Sequence, residues 1–186
     1  MNLAVLAAGC ATLRGVSALR EVDFQPERVT GIRLAGMPLD GVRSADDVSP
    51  AQVALVAAGA LAGTVPLEVD VIVRASNPAT NPVAAQILRM DWMLLLRGKD
   101  TVGGRVDRRY TIEPGETVEV PVHVAVDLAD LVGRHARTLI RLGVALAQQG
   151  REGPVDLRLR LSPIVDTPLG GMRIPSFTIP LATTVR

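Results

Sequence analysis

Few side chains in this sequence are of a type that does chemistry, and their spacing limits what they can be. His123 and His135 are the two histidines. Neither has a partner at the H-x-x-x-H or C-x-x-C spacing that brings two ligands onto one metal, so packing or surface roles are expected, with no metal and no cofactor. Asp46-Asp47, and later Asp127 and Asp130, stand where first turns of helices are expected. There a carboxylate complements the positive end of the helix dipole, a simpler reading than an acid-base pair. Gly103-Gly104 and Gly170-Gly171 read as turn glycines, since no Lys-Ser/Thr follows either pair to make a phosphate loop. Ser17, Ser44, Ser49, Ser76, Ser162 and Ser176 all lack the G-x-S-x-G context of a nucleophile elbow. Arg158 and Arg160, alternating with Asp156, read as a solvated strand face. With no catalytic constellation, the chain is expected not to be an enzyme.

Cys10 is the remaining reactive residue type and the one cysteine, so it forms no internal disulfide. It ends the apolar run Leu3-Ala4-Val5-Leu6-Ala7-Ala8-Gly9, and Ala-Ala-Gly-Cys resembles the bacterial lipobox. That resemblance implies a lipid on Cys10, residues 1–17 as signal and tether, and a membrane as partner. Ala11 rather than Asp follows the cysteine, which by analogy with lipoprotein sorting implies the bacterial outer membrane, facing the periplasm. Two features depart from the motif: Ala7 stands where Leu is preferred, and no Lys or Arg precedes Cys10. The alternative is an apolar terminus with a buried, inert thiol.

Composition narrows the classes further. The 186 residues carry a net charge of +1 with 48% hydrophobic content, enough for one ordinary core and too balanced to steer an acidic polymer. Aromatic residues are 2% of the chain and lie apart from one another, so there is no platform for stacking bases. Nucleic acid is not an expected partner. The uncharged stretch Val48 to Leu67 is long enough to raise a membrane span, but its Pro, Gly, Gln and alanine content favours a buried core helix.

The elements follow from periodicity. Val65, Leu67, Val69, Val71 and Val73 alternate with Glu68, Asp70 and Arg74, a strand with one buried face that stops at Asn77-Pro78 and Asn81-Pro82. Before it, one or two strands are expected between Leu19 and Leu39, broken at Pro26 and Gly31, with a turn over Gly36 to Gly41. Ser49-Pro50 is a helix start, giving a helix over about 50–61. Ile87 to Leu96 and Thr101 to Val106 read as a hairpin around Gly98-Lys99-Asp100. Val118, Val120, Val122, Val124 and Val126 share one strand face, and Pro121 within that run implies an edge position or a bulge. Asp127 then caps a helix over about 128–148 with Leu128, Leu131, Leu139, Leu142 and Leu146 on its apolar stripe. Val155 to Leu161 is a one-sided strand, and Met172 to Leu181 is extended. The sum is a mainly β protein: an antiparallel β-sandwich carrying two helices, as one domain over 18–186.

The alternating strand into Asn77-Pro78, the hairpin at Gly98, Ile112-Glu113-Pro114-Gly115-Glu116-Thr117 leading into the valine strand, the helix after it and the closing Gly171 to Pro175 segment form an ordered series. This series resembles the LEA type 2 family (late embryogenesis abundant group 2, overlapping the WHy, or water stress and hypersensitive response, domain) over roughly Val22 to Leu181. The resemblance implies a fibronectin/immunoglobulin-like sandwich, a desiccation or stress association and no catalytic residues. It makes Asn77, Pro78, Asn81 and Pro82 a structural motif. The function it implies is a non-catalytic envelope lipoprotein serving as a binding or protective module for client proteins. The alternative is a carrier of lipid or another apolar ligand, held in a cleft between helix and sheet. Oligomeric state is left open.

Overall fold

The computed structural model describes residues 22–129, 136–148, 154–166 and 170–182. Cys10, the tether, Asp130 and His135 lie outside them. Two antiparallel sheets face each other. In one, β3 (Pro66–Ser76) lies between β1 (Asp23–Leu34) and β7 (Thr117–Asp127), and β2 (Met37–Pro38) pairs with the far end of β1. The other has β4 (Ala85–Leu96) between β5 (Lys99–Val106) and β8 (Leu157–Val165), with β10 (Phe177–Ala182) beyond β8. Short strands β6 (Tyr110–Ile112) and β9 (Met172–Arg173) extend β4 and β8. The β-sandwich and α1 (Pro50–Ala62) are those expected from the sequence; α2 (Ala136–Ala147) lies within the helix expected over about 128–148, of which 130–135 lie outside the described residues.

The period-two pattern becomes the core directly. Leu67, Val69, Val71 and Val73 of β3 stand opposite Val126, Val124, Val122 and Val120 of β7 in an uninterrupted ladder, and the inner face is sealed. Each of these side chains contributes roughly 1.5–3 kcal/mol by leaving water. Pro121 sits opposite Ile72 without a register shift, because β7 is the outer strand of its sheet and needs no donor at that point.

Several local expectations are corrected. Pro26 and Gly31 do not break the first strand, since β1 is continuous and both sit at register shifts against β3. A bulge absorbs the missing donor at Pro26 and the positive φ of +61° at Gly31. The β4–β5 turn is Arg97-Gly98 alone, with φ of +52° and +77°, so Lys99 and Asp100 already belong to the ladder. The turn after β1 is likewise Ala35-Gly36, with Met37 and Pro38 paired back to Leu34 and Arg33.

The start of α1 is as expected: Ser49 N donates to Gln52 Oε1 at 2.8 Å, and Gln52 N returns the bond to Ser49 Oγ at 3.3 Å. Asp46 and Asp47 do not serve this helix. They belong to a separate 3-10 turn over Ala45–Asp47, where Asp47 Oδ2 accepts from Ser44 N at 2.8 Å and Arg43 N at 3.1 Å. Nor is α1 a buried core helix. Only Val56 and Ala60 are buried, while Leu61 is 86% exposed, because α1 packs on α2 outside the sandwich. Helix α2 is the inner one. Leu139, Leu142 and Leu146 are fully buried, and Gly143 lets the helix approach Leu34 and Leu39, where a Cβ would stand 2.5 Å from Leu39 Cδ1. Asp127 caps the residues after β7 through Ala129 N at 2.9 Å and also accepts from Val65 N at 2.9 Å, tying β7 to the start of β3.

Candidate functional site

Among the described residues the buried polar side chains are Asn77, Asn81 and Ser162. The two asparagines are committed to structure. Asn77 Nδ2 donates to Val83 O at 3.0 Å and Ile112 O at 2.9 Å, and Asn81 Nδ2 donates to Asn77 Oδ1 at 2.6 Å. The Asn77 backbone donates to Glu116 O and accepts from Gly115 N. Pro78 and Pro82 hold the intervening loop out of helical conformation, so the motif clamps the β3–β4 loop onto the β6–β7 turn.

The other chemically capable residues are dispersed. His123 Nδ1 lies 2.8 Å from Asp70 Oδ1 on the outer face of the first sheet, with the histidine side chain 60% exposed. Arg28 and Glu119 form a two-pronged pair at 3.0 and 2.8 Å on the same face. The hydrogen bond from Arg28 holds the Glu119 carboxyl below its ordinary value and raises Arg28 in return. Among the described residues no group of three or more His, Cys, Asp or Glu could hold a metal ion, and no helix is long and apolar enough to cross a membrane.

Two surface features do gather side chains. The first is an apolar groove of about 790 Å³ lined by Val22, Phe24, Met172, Ile174, Pro175 and Phe177, among others. Its origin lies in strand lengths. Because β2 spans two residues and pairs only with Arg33 and Leu34, the first half of β1 is an open edge that faces β10, the open edge of the other sheet. Helix α2 covers one part of this seam, touching both β1 and β10. At the other end Phe24 and Phe177 stack across it with ring centroids 5.8 Å apart, and the groove opens beside them.

The second feature is a trough of about 450 Å³ on the outer face of the six-stranded sheet, lined by Arg89, Asp91, Met93, Arg105, Arg160 and Arg173 among others. Register brings them together: Asp91 stands opposite Arg105 on one side and Ser162 on the other, and Met93 opposite Gly103 and Arg160. Arg173 Nη2 donates to Asp91 Oδ2 at 2.8 Å, and Arg160 Nη1 to Asp100 Oδ2 at 3.0 Å. Arg89 Nε is 3.3 Å from Asp91 Oδ1 but is not aligned for a hydrogen bond. Gly103 and Gly104, expected as turn glycines, are mid-strand residues of β5. A Cβ at Gly104 would stand 2.4 Å from the Trp92 ring, and one at Gly103 would stand 2.9 Å from Met93 Cε, so both glycines make room for β4 side chains. Of the four trough arginines, only Arg160 belongs to the solvated strand face expected from the sequence. The others come from distant strands.

No family model and no curated protein matches the sequence. Solved structures do. One is a protein from Archaeoglobus fulgidus, at 12% identity over 62% of this chain and 82% of that chain, with a TM-score of 0.43. Another is the solution structure of a protein described as late embryogenesis abundant, at 12% identity over 95% and 80% of the two chains, with a TM-score of 0.44. A third, described as the ApaA protein from Bordetella pertussis, matches at 15% identity over 87% and 95%, with a TM-score of 0.37. Likenesses this distant carry no functional argument.

Proposed function

We propose that this chain is a non-catalytic LEA type 2 module of the bacterial cell envelope, tethered through a lipid on Cys10 at the outer membrane and facing the periplasm. Its sandwich binds an apolar or amphipathic molecule. The observation that carries the binding role is the groove at Phe24 and Phe177. Its volume of about 790 Å³ and its apolar lining match those of small-molecule sites. It lies at an end of the β1–β10 seam that α2 leaves uncovered. The non-catalytic reading is supported by the buried Asn77, whose amide donates to two backbone carbonyls and accepts from Asn81. The tether is supported by the lipobox-like run ending in Cys10, and the family by the ordered sequence features from Val22 to Leu181.

Two measurements on the full chain test this. Membrane fractionation with intact mass compares the wild type with Cys10→Ala. An acylated, membrane-bound wild type beside a soluble variant supports the tether, whereas two soluble, unmodified proteins overturn it. Native mass spectrometry of the detergent-released wild type reads the ligand. A co-purified lipid that disappears in Ser176→Trp, where a bulky ring fills the groove, supports the binding role, and a wild type that carries none overturns it.

A further inference from the structure

The geometry points to an anionic-phospholipid docking face on the outer side of the six-stranded sheet, where Arg89, Arg105, Arg160 and Arg173 receive headgroup phosphates. The choice of a lipid over a soluble anion rests on the membrane-tethered reading above. Charge comes first. Four arginines from four strands line the trough, against Asp91 within it and Asp100 at its edge. The Arg105 side chain has no hydrogen-bond or ion-pair partner among the described residues, and the Arg89 side chain is 41% exposed. Guanidinium forks pair with phosphate oxygens two at a time, so a phosphate would satisfy donors that the protein leaves open. On the opposite sheet the arginines are more dispersed: Arg28 pairs with Glu119, Arg74 lies 3.7 Å from Glu27, and Arg33 stands apart near the far end of β1.

The floor of the trough is mixed. Met93 and Gly103 lie among the arginines in the trough, an apolar floor of the kind on which arginine stems can lie while their heads reach a headgroup layer. Position adds a second line. Arg173 lines both the trough and the apolar groove, and Val22, where residues 1–21 join the sandwich, lines that same groove. The segment from Ala11 to Glu21 spans at most ~40 Å when fully extended, so a lipid on Cys10 would keep this end of the sandwich within reach of the bilayer surface.

The test uses the full chain carrying Cys10→Ala, so that no acyl group can anchor it. Its binding is measured to vesicles of phosphatidylcholine alone and to vesicles containing phosphatidylglycerol. Arg105→Gln/Arg160→Gln is compared with Arg33→Gln/Arg74→Gln, which removes the same charge from the other sheet. The expected result is salt-sensitive binding to phosphatidylglycerol vesicles only, weakened about 25-fold by the first pair and little by the second. Equal losses from both pairs overturn the docking face, and so does equal binding to both kinds of vesicle. Binding of glycerol phosphate without binding of vesicles overturns the lipid as the source of the phosphate. Acylation of the wild-type Cys10 is read in a separate experiment, so failure of the docking face and failure of the tether are distinguishable.

Discussion

Replacing Asn77 tests whether the Asn-Pro motif is a clamp. Asn77→Ala removes two donated bonds, to Val83 O and Ile112 O, and one accepted from Asn81 Nδ2. At about 1 kcal/mol net for each bond, the loss is about 3 kcal/mol, a large share of the roughly 5–15 kcal/mol that holds a domain together. In a chain of this size the melting temperature should fall by about 6–12 °C. Urea unfolding followed by the fluorescence of Trp92, the single tryptophan, reads the change directly. Asn77→Asp separates a clamp from mere volume. It turns the donating amide into a carboxylate facing two carbonyl oxygens, so at neutral pH it should cost at least as much as alanine. That carboxyl would have a raised pKa, and its penalty should ease as the pH falls and a donor hydrogen returns. A double-mutant cycle with Asn81→Ala should show coupling of about 1 kcal/mol through the shared bond. A loss under about 1 kcal/mol in Asn77→Ala, or an aspartate variant as stable as the wild type, would refute the reasoning.

Three further outcomes are expected. Gly104→Ala should cost about 1–3 kcal/mol and red-shift Trp92 emission, because the new methyl occupies the place of the indole ring, whereas Gly103→Ala meets the flexible end of Met93 and the Trp92 carbonyl and should shift that emission less. Ser49→Ala should cost about 1 kcal/mol in thermal unfolding by removing the α1 cap. The Arg28–Glu119 pair should add an acid-sensitive component to stability. Because the folded Glu119 carboxyl lies below its ordinary 4.5, that component is complete above this pH and is lost as the pH falls through the lowered value. Glu119→Gln should flatten that limb of the stability profile.

What the sequence made legible was local. The alternation in β3 and β7, the Ser49-Pro50 cap and the edge proline Pro121 each depend on neighbours a few residues away, and each stands where expected. Pro26 and Gly31 look like strand breaks in isolation because a bulge is defined by its partner strand, here β3. Gly103 and Gly104 resembled turn glycines, but their reason is Met93 and Trp92 across the ladder. The apolar composition of α1 suggested burial, yet its environment is set by α2, which stands between it and the sandwich. The arginine face was the least legible feature, because its four residues span positions 89 to 173 and meet only through strand register. The groove depends on the shortness of β2, which no local pattern announces.

The placement of the Asn77 clamp also bears on how the chain can assemble. Strands β3 and β7 are antiparallel and enclose β4, β5 and β6 between them, so their ladder closes loops of unequal size. At the clamped end Ser76 meets Thr117 across 41 positions, and at the other end Val65 meets Asp127 across 62. The bond from Asn77 to Ile112 closes a still shorter loop of 35. Once that loop is shut, each successive valine pair lengthens the closed segment by only a few residues, and the entropy cost of such small increments is slight. The asparagine is therefore placed where a zipper would have its stop: pairing that starts at the clamp runs toward the helices one pair at a time, whereas pairing that starts at Val65 must close the largest loop first.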